Sequence, residues 1–277
     1  MNSAVPLKCC GKRDTGKFQD SKNENATIFF YRMMIPPLEQ HAAGTFTVPS
    51  PEILQLHIMG RHNGAVDYSA APPEIRRSEK AVLSGLTGIS ATRTIMLNQV
   101  HGDDIITLDS YPETDLPFYA DADGMLTSLP GLCLVIRTAD CVPVFAVDTA
   151  KGVLGAVHSG WRGCRLDITG KLIQKMKTDY GCFPENIEVF ILPAIGPASY
   201  TVNEDVAQYF PRHTERSNGK ILVDLPGSIQ ASLIDRGVPV QNIALYRHCT
   251  MEENENFFSH RMGDAGRNLN AGFLITP

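Results

Sequence analysis

Three apolar runs between residues 132 and 158 constrain the fold of this chain most strongly. They read "LCLVIR", "PVFAVD" and "GVLGAVH". Apolar, β-branched runs of this length predict buried strands. The last two runs are separated by "TAK" beside Gly152, which predicts a β-hairpin. Cys141 precedes the second run and His158 ends the third, so both side chains lie at strand ends, where they can converge on a cleft.

Helical patterns occur on both sides of these strands. In "PEIRRSEKAVLSGLTG" and "DITGKLIQKMKTDYG" apolar residues recur at helical spacing, and Gly88 and Gly181 follow as helix-terminating residues. A further helix is predicted over "SIQASLIDRG", with Ser228 as its N-cap. Strands dominate before residue 160 and helices are interspersed, so we expect an α+β or layered α/β domain. No shift in composition marks a second domain.

Composition excludes several classes of protein. The chain has 277 residues, 43% hydrophobic and 20% charged, which is ordinary for a globular domain. Its net charge of -5 gives no basic footprint for nucleic acid or anionic membranes. No apolar run approaches the ~20 residues of a membrane span, and the start of the chain lacks the apolar core of a signal peptide. With seven cysteines, an odd number, these features predict a reduced, cytoplasmic protein.

Residues 1–26 are polar and predict a poorly ordered tail, which leaves 27–277 as the folded domain. Within that domain the familiar nucleotide-binding glycine loops and the H-E-x-x-H and G-x-S-x-G motifs are absent from the sequence. What remains is a set of thiol and imidazole groups at predicted strand ends: His101, Cys141 and His158. From the residues alone three interpretations stay open: a catalytic metal site, a Cys141–His158 dyad, or buried residues without a chemical role.

Six stretches appear in order and carry a resemblance to a known family: "NQVHG", "DADGMLTSLPG", "TADCVPV", "GAVHSGWRG", "LPAIGPASYTV" and "CTMEENENFFSHR". From about residue 52 onward the chain resembles the laccase-domain family of multicopper polyphenol oxidoreductases. That family was later described as bifunctional purine nucleoside phosphorylases and adenosine deaminases. The resemblance implies a single domain in a four-layer α-β-β-α sandwich, shared with bacterial toxin deamidases that use a Cys–His pair.

The resemblance also implies a metal triad, which falls on His101, Cys141 and His158. Zinc is the implied ion, and copper is the alternative, since imidazole and thiolate suit both. Cys141 and His158 are then catalytic as well as metal-binding. The neighbouring Asp140 is expected either to protonate the leaving purine or to orient a metal ligand.

The candidate substrate contacts are chosen by chemistry and by the motifs. Phosphorolysis requires a phosphate site, for which the bidentate guanidinium of arginine is suited. Arg61, Arg162 and Arg261 are the candidates, and Asn98 is a candidate contact to the nucleoside. Asp121 and Asp123 in "DADG" resemble a turn-capping motif. Near the C-terminus His260 stands where the family has an aromatic residue, and Ser159 follows the third ligand where the family has alanine.

The resemblance implies a zinc-dependent enzyme that cleaves adenosine, inosine and methylthioadenosine with phosphate and also deaminates adenosine. The expected partners are small molecules, not nucleic acid or membranes, and the expected assembly is a monomer or small homo-oligomer. Three alternatives remain. A copper-dependent polyphenol oxidase needs more metal ligands than this set of eight histidines places near the site. The others are a Cys–His hydrolase or deamidase and a binding module without activity.

Overall fold

The fold is described by a computed structural model, which covers residues 36–41, 45–61 and 66–275. The tail predicted for residues 1–26 lies outside these residues. One six-stranded sheet is mainly antiparallel, and its last pair, β7 with β4, is parallel. Its strands, in spatial order, are β1 (Glu39–Gln40), β2 (Thr45–Val48), β3 (Leu54–Met59), β15 (Asn268–Leu274), β7 (Cys133–Thr138) and β4 (Thr94–Met96).

The second six-stranded sheet contains the predicted hairpin. Its strands, in spatial order, are β14 (Ile243–Leu245), β10 (Ile187–Ile191), β8 (Val142–Asp148), β9 (Val153–Ser159), β6 (Gly124–Thr127) and β5 (Ile105–Leu108). The hairpin is formed by β8 and β9, which pair antiparallel with Pro143 opposite His158. Its turn is closed by Asp148, whose side chain accepts a hydrogen bond from the backbone N–H of Lys151, and by Gly152 at φ 61°.

A small third sheet, five α-helices and several short 3-10 helices complete the described part of the chain. The sheet joins β11 (Thr201–Val202), β13 (Lys220–Val223) and β12 (Thr214–Ser217). The helices are α1 (Pro72–Thr87), α2 (Trp161–Arg165), α3 (Ile168–Tyr180), α4 (Glu204–Ala207) and α5 (Leu225–Asp235). The predicted glycine stops are confirmed, because Gly88 and Gly181 both adopt left-handed backbone after α1 and α3.

The predicted N-cap of α5 is wrong by four residues. Ser228 lies inside the helix, and its hydroxyl donates to the backbone oxygen of Leu225. The cap is Asp224, whose carboxylate accepts from the backbone N–H of Gly227. Pro226 in the first turn explains the earlier start, since proline fits where its missing N–H costs nothing.

Three apolar clusters show how the layers pack. Leu83 of α1 packs with Val135 and Leu269 on one face of the first sheet. The inner faces of both six-stranded sheets share a second cluster, to which Phe145 belongs. A third cluster joins the opposite face of the second sheet to α3 and α5. The hairpin strands are therefore buried on both faces, which explains their continuous apolar sequence.

The chain forms a mixed α/β single-domain fold with several sheets. None of the helices in the described ranges is both long and apolar enough to cross a bilayer.

Candidate metal centre and catalytic cleft

The hairpin positions two of the three candidate ligands. Cys141 directly precedes β8, and His158 lies one residue from the end of β9. Because the strands are antiparallel, the start of β8 and the end of β9 meet at the same end of the sheet. Gly160 follows β9 and lies close to the cluster. A Cβ at this position would stand 2.9 Å from the Cys141 sulfur and 3.4 Å from a ring carbon of His101, so glycine permits this close approach.

The third candidate ligand comes from the turn between β4 and β5. His101 has a φ of 62°, an unusual backbone conformation for a residue with a side chain. The carboxylate of Asp123 stabilises this turn by accepting hydrogen bonds from three successive backbone N–H groups, those of Val100, His101 and Gly102. From the other side, the side-chain amide of Gln99 bonds to the backbone N–H and C=O of Arg137 in β7, at 2.8 Å each.

The donor atoms of His101, Cys141 and His158 lie within 4.8 Å of one another. The two imidazole rings meet edge to face, with centroids 4.8 Å apart. His158 is buried, Cys141 is partly exposed and His101 is exposed, so the cluster opens to solvent on the side of His101. One nitrogen or sulfur donor from each of three residues, with an open side, is the arrangement typical of a catalytic zinc site.

The electrostatics of the cluster favour a thiolate beside a protonated imidazole. Burial raises the pKa of the Cys141 thiol, but hydrogen bonds from His101 and His158 outweigh burial and bring this pKa down to about 6. Burial lowers the pKa of His158, and its hydrogen bonds to Asp123 and Cys141 outweigh that and raise it to about 9. A thiolate is the form of cysteine that binds metals and attacks carbon.

Asp140, the third predicted catalytic residue, is buried with a φ of 83°. Its two carboxylate oxygens accept from the hydroxyl of Thr250 and from the backbone N–H of Arg261, both at 2.8 Å. Its backbone oxygen accepts from the N–H of Ile195 at 2.9 Å. Asp140 therefore supports the C-terminal loop beside the cleft, and these contacts differ from the predicted hydrogen bond to a metal ligand.

Two of the four predicted substrate contacts are the arginines Arg162 and Arg261. Arg162 lies in α2, immediately after the turn that follows His158, and its guanidinium stacks over Trp161 at 4.7 Å. The backbone N–H of Arg261 donates to Asp140. Its side chain donates to the backbone oxygen of Thr201 at 2.8 Å and lies over the ring of Tyr200. Both arginines are exposed.

The other two predicted contacts are Arg61 and Asn98. Arg61 forms an ion pair with Asp264, donates to the backbone oxygen of Asn254 at 2.7 Å, and lies 5.0 Å from the ring centre of Phe258. Asn98 donates to the carboxylate of Asp121 at 2.8 Å. A role for Arg61 and Asn98 in substrate binding stays a prediction.

Sequence reasoning missed the second role of Asp123. The motif "DADG" suggested turn capping, and Asp123 does cap the His101 turn. The same carboxylate also bonds to His158 Nδ1 at 2.7 Å, and its side chain is fully buried. Tyr200 was missed as well, and it borders the site beneath Arg261.

The chain is similar in sequence to several known proteins. A family model described as multi-copper polyphenol oxidoreductase laccase matches residues 59–274. A purine nucleoside phosphorylase of Bacteroides thetaiotaomicron is 30% identical over 226 residues, which cover 75% of this chain and 83% of that protein. Purine nucleoside phosphorylase YlmD of Geobacillus stearothermophilus is 34% identical over 193 residues, 64% of this chain and 70% of that protein.

Solved structures show the same fold. The crystal structure of YlmD from Geobacillus stearothermophilus superposes with a TM-score of 0.79 at 25% identity, covering 86% of this chain and 99% of that one. That of protein NMB0706 from Neisseria meningitidis has a TM-score of 0.70 at 25% identity, covering 84% and 100%. By sequence and by fold, the chain belongs to the multi-copper polyphenol oxidoreductase laccase family.

Proposed function

We propose that this protein is a zinc-dependent purine nucleoside phosphorylase that also deaminates adenosine. The observation that carries the proposal is the cluster of His101, Cys141 and His158, with donor atoms within 4.8 Å of one another, in a chain whose relatives bear the name purine nucleoside phosphorylase. Adenosine, inosine and methylthioadenosine are the proposed nucleosides, each cleaved by phosphate to a free base and a sugar 1-phosphate.

The donor set fits zinc. Two imidazoles and a thiol of lowered pKa are ligands that zinc prefers, and the bond from His158 Nδ1 to Asp123 leaves its Nε2 as the ligand nitrogen. Copper is the alternative ion for the same donors. When bound, zinc supplies Lewis-acid chemistry, which lowers the pKa of water toward ~7 and makes hydroxide available at neutral pH.

The chain's own residues have separate tasks in phosphorolysis. Arg162 and Arg261, which both follow the three cluster residues in sequence, carry exposed guanidinium groups, and we assign them to phosphate. Asp140 holds the backbone of Arg261 and thereby positions that side of the cleft. Arg61 and Asn98 are assigned to the more distant parts of the nucleoside. Deamination needs water instead of phosphate: a water molecule adds across the C6–N1 bond of adenosine, its oxygen to C6 and its proton to N1, and the amino group then leaves C6 as ammonia to give inosine.

A second candidate function rests on the electrostatics of Cys141 and His158. A thiol with a pKa of about 6 beside an imidazole with a pKa of about 9 resembles the ion pair of cysteine hydrolases. In that case Cys141 is the nucleophile, His158 the base, and no metal is needed. A polyphenol oxidase is less well supported, because the described residues contain one His/Cys/Asp/Glu group with metal-site spacing.

We extend the proposal to architecture and location. The three apolar clusters support the four-layer α-β-β-α arrangement, shared with toxin deamidases, that the resemblance implies. A cytoplasmic location is supported by the free state of every cysteine in the described ranges, including the partly exposed Cys141 and Cys164. Action on small molecules and not on nucleic acid accords with the net charge of -5, and the proposed assembly is a monomer or small homo-oligomer.

One experiment separates these functions. Protein of measured metal content is incubated with adenosine, with and without phosphate, and the products are identified by chromatography. Adenine that requires phosphate supports phosphorolysis, and inosine formed without phosphate supports deamination. A parallel sample is treated with a chelator. Turnover that survives the chelator but stops on thiol alkylation would replace the metalloenzyme with the Cys–His hydrolase, and phenol oxidation without either purine product would replace it with the oxidase.

A further inference from the structure

We propose that Asp123 is the positioning residue of the metal centre and that this one carboxylate sets both histidine ligands together. The inference rests on the metal site of the proposed function. Asp123 lies immediately before β6, in the second sheet beside β9, and is fully buried. Neither the family motif nor the chemistry of the ligands themselves assigns it a role in metal binding.

Asp123 connects two ligands that come from different parts of the fold. Its Oδ1 accepts from the backbone N–H of His101 at 3.0 Å and lies 2.7 Å from Nδ1 of His158. Its Oδ2 accepts from the N–H groups of Val100 at 3.1 Å and Gly102 at 2.6 Å. Its backbone oxygen accepts from the N–H of His158 at 2.7 Å. Both ligands thus share a single oxygen atom as their support.

The contacts require a carboxylate. Four donors converge on the two side-chain oxygens, and an ionised carboxylate offers about four acceptor positions and no hydrogen. Asparagine has the same shape but replaces one oxygen with an NH₂ group. In either orientation that NH₂ group faces N–H donors, so at least two of the four hydrogen bonds are lost and two buried donors oppose each other.

Loss of these hydrogen bonds affects His101 and His158 together. Without its acceptor, the His101 turn loses the hydrogen bonds that offset its left-handed backbone. Without Oδ1, the ring of His158 loses the partner that fixes which nitrogen faces Cys141 and the ion. Removing a supporting hydrogen bond from one ligand commonly costs ~10–100-fold in metal affinity. Because two ligands are affected, we expect Asp123→Asn to lie at or above the upper end of that range.

Asp121 provides a matched control within the same motif. It is two residues away, it is exposed, and its carboxylate accepts from Asn98 instead of from a ligand or the His101 turn. Asp121→Asn changes the net charge by the same amount as Asp123→Asn. It is expected to leave zinc affinity within about threefold of the unaltered protein.

The test measures zinc dissociation constants by competition with a chromophoric chelator for the unaltered protein, Asp123→Asn and Asp121→Asn. Unfolding temperatures of the metal-free proteins are recorded beside them. A ~100-fold loss of affinity in folded Asp123→Asn alone supports the proposal. A lower unfolding temperature with unchanged zinc affinity would make Asp123 merely structural and overturn it, while the proposed function would stand. An unaltered protein that binds no zinc removes the metal centre, and this proposal with it.

A second measurement covers the case in which Asp123→Asn does not fold. Nitrogen NMR of the unaltered, zinc-loaded protein reports which ring nitrogen of His158 carries a proton. A proton on Nδ1 supports the proposal, because that nitrogen donates to Asp123. A proton on Nε2 overturns it. Amide hydrogen exchange at residues 100–102 tests the His101 side in the same sample, where protection supports the proposal and unprotected exchange overturns it.

Discussion

Two buried carboxylates, Asp123 and Asp140, support different parts of the candidate site. Asp123 accepts hydrogen bonds from the His101 turn and lies against His158, so it belongs to the metal side. Asp140 accepts from Thr250 and from the backbone of Arg261, so it belongs to the side where phosphate is proposed to bind. Cys141 belongs to the candidate metal cluster and directly follows Asp140 in sequence, so it connects the metal side to the phosphate side. The difference teaches that the candidate metal ligands and the proposed phosphate contact Arg261 are held by separate hydrogen-bond systems.

Each of the two parts of the site contains one residue with an unusual backbone conformation. His101 and Asp140 both have positive φ, 62° and 83°, which is unfavourable for residues with side chains. Each is stabilised locally: His101 donates its N–H to Asp123, and Asp140 accepts the N–H of Ile195. Strained residues of this kind cluster at functional sites, where the surrounding structure offsets a cost of about 1–3 kcal/mol each. Here one such residue is a candidate ligand, and the other directly precedes Cys141.

The largest expected effect comes from removing the residue that joins the two sides. Cys141→Ala should abolish zinc binding and nucleoside turnover together, because it removes a thiolate from a site with three protein donors. The fold should persist, since the core is built from apolar clusters that exclude Cys141. Metal analysis, product chromatography and circular dichroism measure the three quantities.

Cys182→Ala is the matched control for that variant. Cys182 is buried in the apolar cluster around α3, where a cysteine behaves as a small hydrophobic residue. Its replacement should leave zinc content unchanged and turnover within a few-fold. If Cys141→Ala keeps its zinc while losing turnover, the metal side does not include Cys141, and the thiol acts as a nucleophile instead.

The next largest expected effect is the pH dependence of the alkylation rate of Cys141. In metal-free protein, alkylation of Cys141 should proceed at a constant rate above pH 7 and fall as pH decreases below about 6, the pKa of this thiol. The sign follows because the thiolate reacts and the thiol does not, so the rate falls ~10-fold for each pH unit below the pKa. Mass spectrometry of the peptide that contains Cys141 measures the alkylation rate at each pH.

Buried cysteines elsewhere supply the contrast. Burial raises the pKa of Cys133 to about 12, so its peptide should remain unmodified over the same pH range. Bound zinc should also protect Cys141 from alkylation. A Cys141 midpoint near the ordinary thiol value of ~8.5 would mean that His101 and His158 do not stabilise the thiolate, which would contradict the arrangement described here.

Local sequence patterns predicted the elements that carry the site. The β8–β9 hairpin follows from two apolar runs around a turn, and the ends of α1 and α3 follow from Gly88 and Gly181. Each of these features depends on residues close together in the chain. The resemblance to a family added the trio of His101, Cys141 and His158, which spacing alone left open.

The supporting contacts could not be predicted in the same way. Asp123 meets His101 across 22 residues and His158 across 35 residues, and Arg61 meets Asp264 across 203 residues. No local periodicity encodes contacts between such distant segments, and "DADG" reads as an ordinary turn. The N-cap of α5 was missed for a related reason: Asp224 and Ser228 are both good caps by residue type, and Pro226 decides between them.

The smallest expected effect sharpens the comparison most, because it applies the same substitution to the other carboxylate. Asp140 receives two donors, the Thr250 hydroxyl and the Arg261 N–H. In Asp140→Asn the oxygen can accept from Arg261 while the NH₂ group donates to the hydroxyl, which also accepts. Asparagine also tolerates positive φ better than most residues. We therefore expect zinc affinity to be unchanged and kcat/KM for phosphorolysis to fall by only about threefold, in contrast to Asp123→Asn.

Asp140→Ala, which loses both hydrogen bonds, should lower kcat/KM for phosphorolysis about tenfold, mainly through a higher KM for phosphate. Steady-state kinetics with zinc-loaded proteins measures both. A fall of ~100-fold or more in kcat for Asp140→Asn would instead identify Asp140 as the acid that protonates the leaving purine.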